Sequence, residues 1–320
     1  SALIVGVART PITQFATGGL ASLQATKLGS IAIKGVLDRS KVPPDAVQEV
    51  YFGQVLQGAA GQAPARQAAL GAGLSQAVIC TTVNKVCASG MKAIMLAAQS
   101  IKCGDNHVVI AGGMESMSQV PRYLKRAGQP YGNLELLDGI LHDGLTDAYD
   151  KFHMGICAEN TCKKHGLTRS DQDEYAISSY KRSASAHEAG YLAKEIVPVA
   201  LAGKRPTDPI DLERIPKLRP AFDKVNGTVT AANASTLNDG AAATLLPLAE
   251  IVACADAACA PIDFPLAPAL SIPKVSSHPI GMSGARIVNS LALHLKPGQY
   301  GVASICNGGG GASTVIVKRL

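Results

Sequence analysis

The chain has 320 residues, of which 47% are hydrophobic, 4% aromatic and 17% charged, and its formal net charge is +6. This length supplies about two ordinary domains with a buried core. The basic excess contains no cluster interleaved with aromatic residues, which argues against a nucleic-acid partner and favours an anionic small substrate. No apolar stretch is long enough to span a bilayer, which argues against a membrane partner.

The eight cysteines lie in apolar or helical settings without the compact spacing of a disulfide framework, which favours a reducing compartment. No pair has the two-residue spacing of a zinc knuckle. Apolar residues typical of a strand open the chain, with neither a signal peptide nor an amphipathic transit segment before them.

Apolar spacing and turn residues predict the elements of the first half in order. Strands are expected over residues 2–7 and 49–52. Helices are expected over residues 21–38 and 65–74, the second marked by Pro64 at its start.

A helix–strand unit beside Cys87 recurs 194 residues later. At this offset Gly90 matches Gly284 and Gly104 matches Gly298, and each copy has a glycine-marked start, an apolar helix, a glycine stop and a short apolar strand. The repeat predicts two similar halves packed face to face. Because chemistry in α/β sheets collects at strand and helix ends, the reactive side chains at these ends mark a site.

The two halves are unequal in length. Strands and helices fill the first half before Cys87, whereas little beyond residues 268–275 precedes His278 in the second. Either the second half is degenerate or the natural polypeptide contains further segments, and we favour the second interpretation. Residues 119–234 are more charged and irregular, which predicts an inserted cap with a helix over residues 171–189.

Cys87 lies where the helix expected over residues 88–101 begins. Unpaired N–H groups at a helix start favour the thiolate, which is the reactive form of cysteine. His278 occupies the similar entrance in the other half and would complete an activated nucleophile. The alternative is a small buried core residue, the usual role of a free cysteine. The paired repeat favours a catalytic role for Cys87.

Cys306 ends an apolar strand and is followed by Asn307 and four glycines, residues 308–311. A simple hairpin turn needs only one or two glycines, so this run indicates a close backbone approach to a ligand and N–H groups aimed at an oxyanion. Two thiols and a histidine suit acyl transfer with carbon–carbon bond chemistry. One thiol carries the acyl group, and the other exchanges a proton at the carbon next to a thioester carbonyl.

Five motifs in order along the chain make the sequence similar to the thiolases, most of all to the biosynthetic acetoacetyl-CoA thiolases of mitochondrial type. They are Val-Cys-Ala-Ser-Gly-Met-Lys at residues 86–92, Gly-Gly-Met-Glu-Ser-Met-Ser at 112–118, Asn-Ala-Ser-Thr-Leu-Asn-Asp-Gly at 233–240, His-Pro-Ile-Gly at 278–281 and Cys-Asn-Gly-Gly-Gly-Gly at 306–311.

The resemblance implies an α/β thiolase fold, in which two pseudo-symmetric halves form five αβαβα layers with an inserted loop domain, usually in a homotetramer. The N-terminal half would occupy residues 1–118 and return at 236–250, the loop domain that binds coenzyme A would occupy 119–235, and the C-terminal half 251–320. The implied reaction is the reversible condensation of two acetyl-CoA to acetoacetyl-CoA, with coenzyme A as a substrate and no redox cofactor.

The resemblance also implies the role of each site residue. Cys87 would carry the acetyl group, His278 would activate it, and Cys306 would act as acid and base. The N–H groups of Cys87 and Gly308 would form an oxyanion hole. Coenzyme A would lie near Leu145, His153, Met154, Ala221, Phe222 and Ser235. The mitochondrial members bind K⁺, which implies a site at Tyr180 and the carbonyls of Ala231, Ala232 and Ala234.

The Phe264-Pro265 pair resembles mitochondrial members that also cleave 2-methyl-branched substrates. This implies thiolysis of 2-methylacetoacetyl-CoA and a place in the mitochondrial matrix rather than the cytoplasm. The alternative interpretation of the pair is a simple turn before a core strand.

Two departures from the family pattern keep other functions open. The Asn-Glu-Ala-Phe segment that thiolases carry before the catalytic histidine does not occur in this sequence, and Ser277 stands where they usually have glycine. A homologue that binds acyl-CoA without turning it over is therefore one alternative. A ketoacyl-carrier-protein synthase is another, although it would use two histidines instead of a second cysteine.

Overall fold

Six α-helices and eleven strands build the described part of the chain in this computed structural model, which covers residues 3–126, 131–200, 211–246, 249–268 and 279–320, the side chains of residues 249 and 250 excepted. In chain order they are β1 (Gly6–Arg9), β2 (Thr13–Gln14), α1 (Ala25–Ser40), β3 (Glu49–Gly53), α2 (Pro64–Gly71), β4 (Ile79–Val83), α3 (Ser89–Cys103), β5 (Val109–Ser116), β6 (Arg122–Tyr123), β7 (Leu137–Asp138), α4 (Met154–His165), α5 (Arg169–Glu188), β8 (Asn238–Leu245), β9 (Ala249–Ala258), α6 (Ser283–His294), β10 (Tyr300–Asn307) and β11 (Gly311–Arg319).

The larger sheet has the strand order β1-β8-β5-β3-β4, and β2 pairs with β8 at its margin. The pairs β3–β4 and β3–β5 are parallel, while β8 runs antiparallel to both β1 and β5. Helices α1 and α2 cover one face of this sheet, and α3 and α6 cover the other. Because β8 follows the inserted segment, the chain returns to the first sheet before it builds the second.

Alternating side chains of the central strands supply two separate cores. Along β5, Val109 and Ala111 belong to the core that contains α3 and α6, whereas Ile110 and Met114 belong to the core under α1. All eight residues of this strand are buried, which explains its nearly continuous apolar sequence.

The smaller sheet has the order β10-β11-β9, with both pairs antiparallel. Its order repeats β5-β8-β1 of the first sheet, and α6 precedes β10 as α3 precedes β5. The glycine stops match as well, since Gly104 and Gly298 both have positive φ, +86° and +81°. The predicted repeat of a helix–strand unit is therefore present in the structure.

Several predicted boundaries differ from the observed ones by a few residues. The first strand begins at Gly6, not at residue 2, and α1 begins at Ala25, not at residue 21. Within the described residues nothing in the second half corresponds to α1, β3, α2 and β4. Among the described residues, the second sheet is contacted by α3 of the first half, by α6 and by a 3₁₀ segment, Pro261–Leu266.

The segment between β5 and β8 carries α4, α5 and the short β6–β7 pair. Helix α5 begins at Arg169 with a capping box, in which the Thr168 side chain accepts from the Asp171 N–H and the Asp171 side chain accepts from the Thr168 N–H. No helix in the described ranges is both long and apolar enough to cross a membrane.

Candidate active site

Cys87 lies in a strained turn between β4 and α3. Val86 has φ +46°, a left-handed conformation that a β-branched residue adopts at a cost of about 1–3 kcal/mol. Hydrogen bonds hold the turn: the Val86 N–H donates to Asn84 Oδ1 at 2.9 Å, and the Lys85 N–H donates to Ser89 Oγ at 2.8 Å. The helix begins at Ser89, so Cys87 precedes the first helical turn instead of lying within it.

Cys306 lies near the end of β10, and the loop Gly308–Gly310 joins this strand to β11. The N–H of Gly308 lies near the Cys87 thiol and lowers its pKa. The carbonyl of Gly310 accepts from the Cys259 N–H at 2.8 Å and from its thiol at 3.3 Å. Cys259, directly after the end of β9, thus holds the loop that brings the Gly308 N–H to Cys87.

Both cysteines are half-buried. Burial, together with the electrostatic influence of Cys306 and Glu115, raises the pKa of Cys87 to about 12, although the N–H groups of Gly308 and Cys87 lower it. Burial raises the pKa of Cys306 to about 11. Burial therefore opposes the thiolate of Cys87 that the helix start was expected to favour. Attack by Cys87 needs a base.

His278, the predicted base, lies outside the described residues. The adjoining segment is described from Pro279, and Ile280 lines the same cavity as Cys87 and Cys306. This segment is held by Glu115, which is fully buried and whose carboxylate accepts from the Gly281 N–H at 2.9 Å. Sequence reasoning assigned no role to Glu115, although an acidic residue inside an apolar strand was the available signal.

Glu115 also accepts from the N–H groups of Val55 and Leu56, at 3.0 and 3.2 Å. Burial raises the pKa of this carboxyl to about 7, opposed by the three N–H donors. One side chain of the first half therefore fixes a loop of its own half and the loop that follows His278 in the second half.

A cavity of about 630 Å³ contains the predicted nucleophile and acid/base together. Of the predicted residues, it is lined by Cys87, Cys306, Gly308, Leu145, His153, Met154, Phe222 and Ser235. Ala221 does not line it; its N–H donates at 2.8 Å to the carbonyl of Val229, which does. Residues that sequence reasoning did not assign to the site, among them Met117, Gly144, Gln172 and Ser304, line it as well.

His153 forms one wall of this cavity. Its ring stacks on Phe222 with 4.8 Å between centroids, and its Nδ1 accepts from the Gly155 N–H at 2.9 Å. Burial lowers the pKa of His153, which favours a neutral ring. The stacked rings give the cavity an apolar wall at the start of α4.

The residues of the predicted K⁺ site line a second cavity of about 540 Å³. The hydroxyl of Tyr180 donates to the carbonyl of Ala232 at 3.0 Å, and Ala231 and Ala234 line the same space. Residues 233–236 line both cavities. Within the described residues, no three His, Cys, Asp or Glu side chains come together as a metal site.

Comparisons with known proteins find similarity to one family along nearly the whole chain. The family model described as "Thiolase, N-terminal domain" matches residues 2–250, and that described as "Thiolase, C-terminal domain" matches residues 276–319. The mitochondrial acetyl-CoA acetyltransferases of Bos taurus and Homo sapiens are 50% and 48% identical over 99% of this chain and 91% and 90% of theirs.

Both alignments extend over 386 residues, more than the 320 of this chain, so these relatives contain residues without a counterpart here. A solved structure is similar over its full length. It is the Acat5 thiolase from Ascaris suum in complex with coenzyme A, with a TM-score of 0.94, 37% identity and coverage of 100% of both chains.

Proposed function

This chain belongs to the thiolase family, and we propose that it is an acetyl-CoA acetyltransferase, which joins two acetyl-CoA molecules into acetoacetyl-CoA and cleaves acetoacetyl-CoA with coenzyme A. The observation that supports this most is the meeting of Cys87, Cys306 and the Gly308 N–H in one cavity, although they come from opposite halves of the chain. The names of the relatives and the coenzyme A bound to the Ascaris suum thiolase support the same substrate class.

In the first half-reaction, Cys87 gives its thiol proton to His278, and its sulfur bonds to the carbonyl carbon of acetyl-CoA. The N–H groups of Cys87 and Gly308 stabilise the oxyanion. The bond from the carbonyl carbon to the coenzyme sulfur breaks, and coenzyme A leaves with the proton of Cys306. Cys306 is then a thiolate, which its raised pKa makes a strong base.

In the second half-reaction, Cys306 removes a proton from the methyl carbon of a second acetyl-CoA. That carbon bonds to the acetyl carbonyl, the bond to the Cys87 sulfur breaks, and Cys87 recovers its proton from His278. Acetoacetyl-CoA is released, and each protein group is again protonated as at the start: Cys87 has recovered its own proton, and Cys306 holds the methyl proton in place of the one that left with coenzyme A. Thiolysis is the reverse of these steps.

Acetylation and condensation test the two thiols separately. Wild-type protein given labelled acetyl-CoA should carry the label on Cys87, and Cys87→Ala should carry none. Cys306→Ala should accept the label and hardly condense it. Cys103→Ala, at an exposed cysteine, is the matched control and should behave as wild type. Label on another cysteine, or equal loss of both half-reactions in Cys306→Ala, would contradict the assignment.

A member that binds acyl-CoA without turnover is the second candidate, because the sequence lacks the Asn-Glu-Ala-Phe segment and is shorter than its alignments with relatives. A thiolysis assay with acetoacetyl-CoA and free coenzyme A separates the two functions. Binding of coenzyme A without any turnover would establish the second.

The oxygen donors of the second cavity fit K⁺, which prefers hard ligands. Tyr180 and the carbonyls of Ala231, Ala232 and Ala234 would hold it, and a bound cation would order residues 233–236 beside the coenzyme and lower the cost of binding. Burial raises the pKa of Tyr180, so it would bind as a neutral hydroxyl. Coenzyme A should bind more tightly in potassium than in sodium; equal affinity, or a Tyr180→Phe variant that keeps the preference, would contradict the site.

We also propose a homotetramer in mitochondria, with the matrix as its compartment. Three leucines flank the β6–β7 pair and are exposed to water: Leu124 by 48%, Leu134 by 56% and Leu136 by 57%. A subunit interface would remove this apolar surface from water. The relatives named mitochondrial support the location. Light scattering of the purified protein tests the mass of the assembly, and a monomer would contradict it.

The division into an N-terminal half at residues 1–118 and 236–250, a loop domain at 119–235 and a C-terminal half at 251–320 remains a proposal. The return of β8 to the first sheet supports it.

A further inference from the structure

The strained turn at Cys87 needs a constraint from outside itself. A left-handed valine persists only where the surrounding structure prevents its relaxation. The hydrogen bonds of Val86 and Lys85 to Asn84 and Ser89 are local, and they would move together with the turn. A contact with the second half of the molecule is required to fix the turn relative to the Gly308 N–H.

Lys85, two residues before Cys87, makes such contacts. Its ammonium donates to the Asp256 carboxylate, to Ser313 Oγ at 2.8 Å and to the Ala312 carbonyl at 3.1 Å. Asp256 lies on β9, opposite Ser313 of β11 in the sheet register. The first half is thus attached to the strand that begins at Gly311, directly after the loop that carries Gly308.

The Asp256 carboxylate also reaches the other side of Cys87. Its Oδ2 accepts from Lys92 in the first turns of α3 at 2.7 Å, while its Oδ1 accepts from Ser313 at 2.6 Å. One carboxylate therefore connects a residue before the nucleophile, a residue after it, and the hairpin opposite it.

The charge state of this carboxylate is secure. Burial opposes ionisation, but the hydrogen bonds from Lys85, Lys92 and Ser313 hold the pKa of Asp256 at about 2. The side chains of Lys85, Lys92 and Asp256 keep 25%, 26% and 36% exposure. Ion pairs this exposed contribute little to the stability of a fold, so the network is better suited to geometry than to stability.

We propose that Asp256 is a positioning residue, which holds the Cys87 turn and the Gly308 loop at the separation needed for acyl transfer. This inference rests on the proposed function. Reacting groups lose about 10²-fold in rate when they are displaced by about 1 Å, so a small shift between the two halves would affect chemistry without abolishing binding.

Asp256→Asn removes the charge at nearly constant shape, and Asp38→Asn, at an exposed carboxylate paired with Lys34 on α1, is the matched control. The rate of Cys87 acetylation by acetyl-CoA should fall about 10- to 100-fold in Asp256→Asn while the KM for acetyl-CoA changes less than about threefold. Asp38→Asn should match wild type. An acetylation rate equal to that of wild type would overturn the proposal. A lower rate accompanied by a raised KM and a lowered thermal midpoint would overturn it as well.

A second variant distinguishes a positioning role of Asp256 from misfolding of the Asp256→Asn variant. Lys85→Met should give a similar loss, and the double variant should lose little more than either single one, because both residues act through one contact. Fully additive losses would overturn the proposal. Alkylation of Cys87 by iodoacetamide is measured in parallel. If wild type is not acetylated, the proposed function fails, and an unchanged alkylation rate in Asp256→Asn would then overturn the positioning role separately.

Discussion

Position 310 requires glycine for two reasons. Its φ is +86°, and a Cβ at this position would overlap the carbonyl oxygen of Cys259. Gly73 has a similar φ of +91°, but a Cβ there would meet nothing within 4 Å. The two positions therefore share the conformational cost of a side chain and differ in the steric cost.

We expect Gly310→Ala to lose most of its acetyl-transfer rate, because relief of the overlap must move the loop that carries Gly308. Gly73→Ala should keep full activity and lose only about 1 kcal/mol of stability. Single-turnover acetylation and urea unfolding of both variants provide the measurement. Equal activities in the two variants would show that the loop tolerates displacement.

Phe264 and Pro265 line the cavity that contains Cys306, which supports a role for the pair in the acyl pocket. Wild type should cleave acetoacetyl-CoA and 2-methylacetoacetyl-CoA. Phe264→Met should lower the kcat/KM of the branched substrate relative to the straight one about tenfold, since a methyl group is worth about 1–3 kcal/mol in an apolar pocket. Cleavage of the straight substrate alone by wild type would contradict the prediction.

Cys87, Cys306 and Gly308 could be found from the sequence because each stands beside a local glycine pattern. The contacts that Glu115, Asp256 and Cys259 make could not. Their partners are remote along the chain: Gly281 for Glu115, Lys85 and Lys92 for Asp256, and Gly310 for Cys259. An acidic residue inside an apolar strand marks Glu115 as unusual, but no local sequence signal shows which remote residue such a side chain contacts.

At the scale of elements, α3 and α6 pack through glycines. A Cβ on Gly284 of α6 would lie 2.7 Å from the backbone nitrogen of Met91, and a Cβ on Gly90 of α3 would lie 2.9 Å from the Gly281 carbonyl. The prediction from the repeat that these glycines correspond is therefore explained by close packing of the two helix starts. Helix lengths were less predictable, because Leu23 continues the apolar spacing before α1 actually begins at Ala25.

Gly284→Ala should destabilise the protein by about 1–3 kcal/mol, because backbone rather than a side chain must move. Gly71→Ala in α2 is the control. Its Cβ would meet the Ser30 side chain, which can rotate, and alanine improves helix propensity by up to about 1 kcal/mol. Urea midpoints of both variants test the difference. A loss at Gly71 as large as that at Gly284 would contradict the argument.

For the whole molecule, the family and its fold were predicted correctly from five ordered motifs. The shortness of the second half was also visible, since few residues separate β9 from the His278 segment. Its consequence could be seen only in the structure. In the described residues the second sheet has three strands, and contacts such as Lys85–Asp256 and Glu115–Gly281 join the second half to the first. The compartment, the K⁺ site and the tetramer remain predictions.

We expect the contact between the two halves to depend on pH through Glu115. Its pKa is raised from 4.5 to about 7 by burial, so the folded state binds this proton more tightly than the unfolded chain does. The stabilisation from that proton is fully present below pH 4.5 and is lost as the pH rises through 7.

Between pH 4.5 and 8, the free energy of unfolding of wild type should therefore fall by about 3 kcal/mol more than that of Glu115→Gln, which cannot ionise. Glu174→Gln, at an exposed carboxylate on α5, should keep the wild-type slope. Urea titrations of the three proteins at several pH values measure these slopes directly. If wild type instead gains stability with pH relative to Glu115→Gln, the three N–H donors outweigh burial, and the two halves are held by an ionised carboxylate.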